Sequence, residues 1–162
     1  QKAGKAGLLV TQNIDCLHQR AGSVNVAEFH GTLEYLICLK CGMRLKAEKD
    51  LTDQPVCPAC SGLLKPDVVF FGEGLPEDAT DLAFEEVKHA EAVIVVGTSG
   101  EVMPACLVPR YAKRNGAQII EINLDPSAFT REGISDLFLQ GKAGEILPEL
   151  VKKVLDEGGT DA

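Results

Sequence analysis

Short apolar runs and amphipathic stretches alternate along most of the chain. Continuous apolar runs such as Ala92–Val96 are typical of buried strands, whereas apolar positions at steps of three and four residues are typical of helices. The pattern predicts strands at 7–10, within 24–38, and at 68–71, 92–96, 117–123 and 134–141, with helices at 77–89, 105–115 and 143–157. This alternation favours an α/β fold, in which helices cover both faces of a parallel sheet.

Polar side chains directly follow three of the predicted strands. They are Gln12, Asn13 and Asp15 after the first, Gly97, Thr98 and Ser99 after the strand at 92–96, and Asn123 and Asp125 after the next. Functional groups of parallel sheets lie at the carboxyl ends of strands. We therefore expect the three groups along one edge of one sheet, where burying amides and carboxylates that nothing uses would be costly.

Four of the six cysteines form two Cys-x2-Cys pairs separated by fifteen residues: Cys38, Cys41, Cys57 and Cys60. This spacing predicts a structural zinc site in which four thiolates complete a tetrahedron. Two disulfides or a redox dithiol are the alternatives. The metal would hold together a small lobe, inserted between strands of the sheet, that lacks the apolar area to fold alone. The remaining Cys16 and Cys106 are interpreted as small buried residues.

The charge and hydropathy of the chain argue against several classes of partner. A formal net charge of −8 and a pI near 4.9 disfavour a nucleic-acid groove, which needs clustered Lys and Arg. No apolar run approaches the roughly 20 residues of a membrane helix. No signal peptide opens the chain, and a cytoplasmic location is expected. Because Gln1 is an unusual start, we expect the C-terminal part of something longer, with a frayed tail at 156–162.

The sequence offers two candidate reactive features besides the cysteines. His30, in Glu-Phe-His-Gly, has the side chain type best suited to general base catalysis near neutral pH, although a lone histidine is more often structural. His18 and His89 are interpreted as structural. The Gly-Thr-Ser-Gly turn at 97–100, expected at a helix N-terminus, suits a phosphate or a ribose, although such turns also serve packing. The chain has no Gly-x-Gly-x-x-Gly fingerprint, so a dehydrogenase is not supported.

The stretch Val-Val-Phe-Phe at 68–71 allows two interpretations. By strand alternation, Val69 and Phe71 share one face and Val68 and Phe70 the other. Core packing explains both pairs. Alternatively, one pair lines a hydrophobic slot, and the Gly-Glu dipeptide that follows forms an edge to which a peptide adds as a strand.

Taken together and in order, these motifs resemble the sirtuins, which are NAD-dependent protein-lysine deacylases. The resemblance runs from about Ala6 to Leu150 and includes TQNIDCLHQRAG, EFHG, both cysteine pairs, KPDVVFFGE, VVGTSGEVMPA, EIN and GKAGEILPEL. It implies a Rossmann-like NAD-binding domain made of residues 1–35 and 65–162, with a parallel sheet and helices on both faces. It also implies a small inserted zinc-ribbon lobe at 36–64.

The resemblance implies a role for each matching residue in binding NAD. Gln12, Asn13 and Asp15 would hold the nicotinamide ribose and the nicotinamide. Gly97, Thr98, Ser99 and Asn123 would hold the phosphates and the adenosine ribose, and Lys142 and Ala143 would lie near the adenine. The amides that end the first strand would therefore serve a dinucleotide.

The resemblance likewise implies the chemistry. Val69 and Phe71 would line the acyl-lysine tunnel, and Gly72, Glu73 and Val102 would flank the substrate peptide. The acyl oxygen would attack the nicotinamide ribose, nicotinamide would leave, and His30 would activate the 2′-hydroxyl of the resulting O-alkylamidate. Water would release lysine and O-acyl-ADP-ribose. A dry tunnel suits a neutral acyl-lysine because an unpaired buried ammonium is costly. The zinc would be structural.

Two other functions compete with the deacylase. One is a zinc module that binds NAD or ADP-ribose without turnover, and the other is an ADP-ribosyltransferase with a protein acceptor. His30 and the tunnel residues favour the deacylase because a bare NAD binder would need neither. The chain departs from the family at Cys16, where Gly is common, and at Cys106, where Ala is common. It also lacks the family's opening Gly-Ala-Gly-x-Ser and Pro-Asp-Phe-Arg segments, which belong to the part of the family's domain that helps separate deacetylases from desuccinylases.

Overall fold

A computed structural model describes residues 1–47 and 54–157, which divide into two compact units, Gln1–Leu82 and Ala83–Ala162. The middle of the segment between the cysteine pairs and most of the expected tail lie outside the described residues. Within the part of the chain described, no helix has both the length and the apolar character that crossing a membrane requires.

The first unit contains a short parallel sheet. Strand β1 (Leu9–Thr11) pairs in parallel with β2 (Val26–Glu28), and the short helix α1 (Leu17–Arg20) lies between them in the chain. The core residues Ala27 and Phe29 are 2% and 0% exposed. The apolar run before Thr11 and the alternation around Ala27 are what allow these segments to pack inward.

The same unit contains a second, antiparallel sheet. Its central strand β3 (Gly31–Cys38) lies between β4 (Arg44–Lys46) and β5 (Leu64–Val68), with a bulge in the β3–β5 register. β4 falls in a polar stretch where no strand was predicted. It forms because Arg44 lies 3.9 Å from the centre of the Tyr35 ring and pairs with Asp67 at 2.6 Å, and such cross-strand pairs stabilise a polar strand.

The second unit contains a three-stranded parallel sheet, with helices following its strands. The strands, in order, are β6 (Ala92–Val96), β7 (Gln118–Asn123) and β8 (Leu137–Gln140). Helix α2 (Glu77–Glu86) precedes β6, and α3 (Leu107–Arg114), α4 (Ala128–Arg131) and α5 (Ala143–Glu157) follow β6, β7 and β8. The alternation of strands and helices, and the parallel pairing, confirm the predicted fold class.

The parallel strands pair within each unit, as β1–β2 in the first and as β6–β7–β8 in the second. One feature of the predicted helix at 143–157 differs from its apolar periodicity. Val151 and Val154 of α5 are 52% and 44% exposed. Helical periodicity fixes the side on which an apolar stripe lies, and not whether a neighbour covers its whole length.

Candidate functional site

The first unit contains a cavity at the carboxyl end of its parallel sheet. Because β1 and β2 run in parallel, the residues that follow them meet at the same edge, and the Phe29 N–H donates to the Thr11 carbonyl at 2.9 Å. The cavity has a volume of about 460 Å³. Its lining brings together the candidates Gln12, Asn13, Asp15, His30 and Val69, with Ile14, Val68 and Phe70.

His30 is held at this cavity through contacts on both its side chain and its backbone. Its Nδ1 lies 3.0 Å from the Gln12 carbonyl oxygen, and its own carbonyl accepts from the Val69 N–H at 3.0 Å. A carbonyl only accepts, so Nδ1 carries the proton in this hydrogen bond and Nε2 is left as an acceptor. The histidine can therefore accept a proton at Nε2.

Gly31 explains why glycine follows His30. Its φ is +73°, and a Cβ there would lie 2.1 Å from the Asp67 carbonyl oxygen. A side chain would therefore push β5 away from β3 at the point where both reach the cavity.

The wall formed by residues 68–70 differs from the expected strand. β5 ends at Val68, so strand alternation does not apply to the residues that follow, and Val68, Val69 and Phe70 all line the cavity. Phe71 lies outside this lining and is fully exposed. The strand ends early because Gly72, at φ +90°, turns the chain and Glu73 closes the turn on Phe70.

Cys16 occupies an unusual backbone conformation beside the cavity. Its φ is +60°, in the left-handed region that favours glycine, and its Sγ lies 2.9 Å from the Thr32 Oγ1. The adjacent Asp15 carboxylate accepts from the Leu17 N–H at 3.0 Å and starts α1. The Gly-to-Cys departure noted in the sequence therefore falls at a position whose backbone conformation favours glycine.

The four cysteines of the two Cys-x2-Cys pairs form one cluster at the antiparallel sheet of the first unit. The sulfur atoms of Cys38, Cys41, Cys57 and Cys60 all lie within 4.8 Å of one another. The Cys38–Cys60 and Cys41–Cys57 sulfur distances of 3.5 and 3.7 Å are far longer than a disulfide bond of about 2.05 Å. They match the edges of a tetrahedron with Zn–S bonds of about 2.3 Å. The donor set and its spacing thus fit a structural zinc ion.

Hydrogen bonds at this cluster act in opposite directions on two of its thiols. The backbone N–H of Cys41, and then that of Lys40 at 3.4 Å, lower the pKa of the Cys38 thiol to about 6, although burial opposes them. The backbone hydrogen bond at Gly62 lowers the pKa of the Cys60 thiol, but the Cys41 side chain and burial outweigh it and raise that pKa to about 12. The tight turn within the first pair brings the two N–H groups to the Cys38 sulfur.

The second unit contains a separate cavity of about 400 Å³ at the carboxyl ends of β6 and β7. The candidates Gly97, Thr98, Ser99 and Asn123 line it, together with Glu101, Leu124, Asp125, Pro126, Ser127 and Arg131. The Asn123 amide donates to the Thr98 carbonyl at 2.9 Å, and the Gly97 N–H donates to the Ile122 carbonyl at 3.1 Å. The two strand ends are therefore fastened together.

The sequence predicted that the turn at 97–100 lies at a helix N-terminus, and this prediction is wrong. Helix α3 begins only at Leu107, after an intervening turn. The turn packs instead against α4, since a Cβ on Gly100 would lie 2.9 Å from the Phe129 ring and the Ala128 N–H donates to the Ser99 carbonyl at 2.9 Å. Glycine stands at position 100 because the Phe129 ring leaves no room for a side chain there.

Glu121 is a buried carboxylate that the sequence reading missed. It is 1% exposed and accepts from the Ser127 N–H at 3.0 Å and from the Thr130 and Ser135 hydroxyls at 2.7 Å each. Burial, the largest single influence, raises the pKa of Glu121, but the hydrogen bonds from these three residues outweigh it and lower the pKa overall. The sequence signal that could have identified Glu121 is the presence of a glutamate within an apolar strand.

Arg131 also lines the second cavity, although the sequence analysis did not select it as a candidate. Its guanidinium contacts Glu101 at 3.0 Å and the Pro126 carbonyl at 2.8 Å, and both partners line the cavity. No local sequence pattern marks the pair of Arg131 and Glu101, because the two residues lie thirty positions apart.

The remaining candidates lie outside both linings. Val102 is 47% exposed, Lys142 has a largely exposed side chain 3.5 Å from Glu145, and Ala143 opens α5. Gly72 and Glu73 follow the wall of the first cavity.

Comparison with known proteins identifies the family. The Sir2 family model matches residues 1–104, and the chain belongs to the Sir2 family. The chain is 50% identical over 147 residues to NAD-dependent protein deacylase 2 of Pyrobaculum aerophilum, covering 90% of this chain and 58% of that protein. It is 46% identical over 161 residues to the NAD-dependent protein deacylase of Pyrococcus furiosus, covering 95% and 64%.

Solved structures that resemble this chain also belong to Sir2 proteins. A Sir2 homolog–NAD complex superposes with a TM-score of 0.91 at 44% identity, covering 96% of this chain and 61% of that one. A complex described as Sir2–p53 peptide–NAD+ superposes with a TM-score of 0.83 at 36% identity, covering 98% and 65%. The chain thus spans about three fifths of the length of the relatives it matches.

Proposed function

We propose that the protein containing this chain removes acyl groups, acetyl among them, from protein lysines in an NAD-dependent reaction. The observation that carries the proposal is His30 at the first cavity, with Nδ1 against the Gln12 carbonyl and the apolar residues 68–70 in the same lining. One cavity thus combines a proton acceptor, amides and a carboxylate, and an apolar wall. The names of the related deacylases support the same reaction class.

The residues present fit NAD. The mouth of the first cavity offers Gln12, Asn13 and Asp15 for the nicotinamide and its ribose. In the second unit, Gly97, Thr98, Ser99 and Asn123 are proposed to bind the phosphates and adenosine ribose, with Lys142 and Ala143 near the adenine. When bound, NAD would supply the ribose to which the acyl group is transferred, with release of nicotinamide.

The first cavity's own residues would do three things in this reaction. His30 would accept a proton from a ribose hydroxyl at Nε2, while the Gln12 carbonyl keeps its proton at Nδ1. Val69 and Phe70 would exclude water from a neutral acyl-lysine stem. Polar groups fixed by the ends of β1 and β2 would stabilise developing charge without having to reorganise.

The substrate would be an acyl-lysine segment of a protein. The apolar residues Val69 and Phe71, with Gly72, Glu73 and Val102, are the proposed contacts, and a neighbour described as a peptide complex supports peptide binding. The acidic net charge of −8 is compatible with lysine-rich segments.

The zinc lobe is proposed to be residues 36–64, inserted between the two parts of the NAD-binding domain, 1–35 and 65–162. Zinc bound by Cys38, Cys41, Cys57 and Cys60 would be structural, since four thiolates leave no open coordination position. A cytoplasmic location is part of the proposal and is supported by the thiols of the zinc site, which are not joined as disulfides.

The test uses protein made from its complete reading frame, incubated with NAD and an acetyl-lysine peptide. Mass spectrometry would detect O-acetyl-ADP-ribose, and longer acyl groups would be tried in parallel. Product that disappears in His30→Ala supports the deacylase. Folded, zinc-loaded protein that binds NAD but yields no product would contradict it and favour a binding module. ADP-ribose attached to protein would instead favour the transferase.

A further inference from the structure

An ion pair between Lys65 and Glu73 joins β5 to the far end of the loop that follows it, at residues 68–72. The Lys65 ammonium, on β5, lies 2.9 and 2.7 Å from the two carboxylate oxygens of Glu73, eight residues later. The side chain of Lys65 is only 22% exposed. The same ammonium also donates to the Val68 carbonyl at 3.1 Å, the residue at which β5 ends.

Glu73 also makes two hydrogen bonds with the backbone of Phe70. Its carboxylate accepts from the Phe70 N–H at 3.0 Å, and its own N–H donates to the Phe70 carbonyl at 2.9 Å. The Lys65 ammonium lies 4.8 Å from the centre of the Phe70 ring, within range of a cation–π contact. Gly72, at φ +90°, permits the tight return of the chain.

These contacts engage both carboxylate oxygens of Glu73 inside the loop. The hydrogen bond from Lys65, followed by that from the Phe70 N–H, holds the pKa of Glu73 below its ordinary value, so that this carboxylate is charged at neutral pH. Neither Lys65 nor Glu73 lines the first cavity, whereas Val68, Val69 and Phe70 do. The pair therefore acts on the wall of the cavity rather than on its contents.

We propose that Lys65 and Glu73 are positioning residues that hold the 68–72 loop in the shape that receives the acyl-lysine peptide. The inference rests on the proposed function and refines it, because Glu73 would act through Phe70 instead of touching the peptide with its carboxylate. The NAD-facing residues Gln12, Asn13 and Asp15 make no hydrogen bond to this pair among the described contacts. Loosening the loop should thus affect peptide binding more than NAD binding.

The kinetic test compares variants of the complete protein. Lys65→Met keeps the apolar stem and removes the ammonium, and should raise the KM for the acetyl-lysine peptide on the order of five-fold. The KM for NAD should stay within about two-fold of the starting protein. Lys65→Arg restores a cation and should return the peptide KM toward its starting value.

The matched control is Lys46→Met. Lys46 also sits on the antiparallel sheet and pairs with a carboxylate, Glu34, at 3.4 Å, but its side chain is 72% exposed and does not line the cavity. Its loss should leave both KM values unchanged. A lysine effect that came only from general stability of the sheet would appear in this variant as well.

A second readout is independent of catalysis. Amide hydrogen exchange followed by NMR would report on two backbone N–H groups. The Phe70 N–H donates to the Glu73 carboxylate, and the Val69 N–H donates to the His30 carbonyl. In Lys65→Met and in Glu73→Gln, exchange at Phe70 should speed up several-fold while exchange at Val69 stays the same.

The outcomes separate this inference from the proposed function. Absence of product from the unmodified protein would sink the deacylase, and the exchange data would still decide whether the pair holds the loop. Active protein in which Lys65→Met leaves the peptide KM unchanged, or raises both KM values equally, would overturn the positioning role. Unchanged Phe70 exchange would overturn it too.

Discussion

The Nδ1 atom of His30 lies 3.0 Å from the carbonyl oxygen of Gln12, and this contact fixes which ring nitrogen is available as a base. Gln12 follows β1 and His30 follows β2, so the parallel pairing of two three-residue strands sets the tautomer. A backbone acceptor cannot be removed by substituting the Gln12 side chain. The orientation of the proposed base is therefore part of the fold.

His30→Ala should reduce turnover by about 10²- to 10⁴-fold, because the proton acceptor is lost while the amides at the cavity mouth remain. The dissociation constant for NAD, measured by calorimetry, should change little. His89→Ala, at an exposed site after α2, is the control and should retain activity. A large loss of NAD affinity in His30→Ala would argue that His30 acts in binding rather than in proton transfer.

Removal of one cysteine of the cluster should remove the metal. Cys57, 1% exposed, is the sharpest choice, and Cys57→Ala protein should contain no zinc by elemental analysis and should melt at a lower temperature. Cys106→Ala should keep one zinc per chain, since its sulfur contacts Met103 and not the cluster. Full zinc content in Cys57→Ala would contradict the four-thiolate site.

Glu121 should contribute stability that is lost in acid. Its pKa in the folded chain lies below the ordinary 4.5, so its contribution is complete above that pH and disappears as the pH falls through the lowered value. Glu121→Gln should cost about 1.5–3 kcal/mol at pH 7, because hydrogen bonds to a charged group are lost. The variant should also lose less of its stability than the parent between pH 7 and pH 4.

Urea unfolding at the two pH values would measure this difference. Glu149→Gln, on the exposed side of α5, is the matched control and should show the parent's pH dependence. Parallel pH profiles for Glu121→Gln and its parent would show that Glu121 does not titrate in this way.

Cys16 should prefer glycine to alanine. Both substitutions lose the sulfur contact with Thr32, but only alanine keeps a Cβ at φ +60°, so Cys16→Gly should be about 1 kcal/mol more stable than Cys16→Ala. At Cys106, where φ is −66°, the order should reverse, with alanine the more stable by a similar amount. Thermal unfolding of the four variants measures both differences, and the same order at both sites would exclude a backbone origin.

The sequence predicted most of what depends on local pattern. The strand at 92–96 and the cysteine cluster are confirmed, because an apolar run and a Cys-x2-Cys spacing carry their structural meaning within a few residues. The α/β class and the family follow from several such signals in order.

What the sequence could not predict depends on distant partners. β5 ends at Val68 because Gly72 turns the chain and Glu73, paired with Lys65 eight residues earlier, closes the turn on Phe70. The apolar run alone predicted a strand through to Phe71. The hydrogen bonds of Glu121 reach residues up to fourteen positions away.

Strand β3 begins one residue after His30 and ends at Cys38, a proposed zinc ligand. Side chains alternate sides along a strand, so inserting or deleting one residue within it would turn every later side chain to the opposite face. Either His30 or Cys38 would then point the wrong way. The length of this strand should therefore be among the least variable features of the protein over evolutionary time, even where its residue types change.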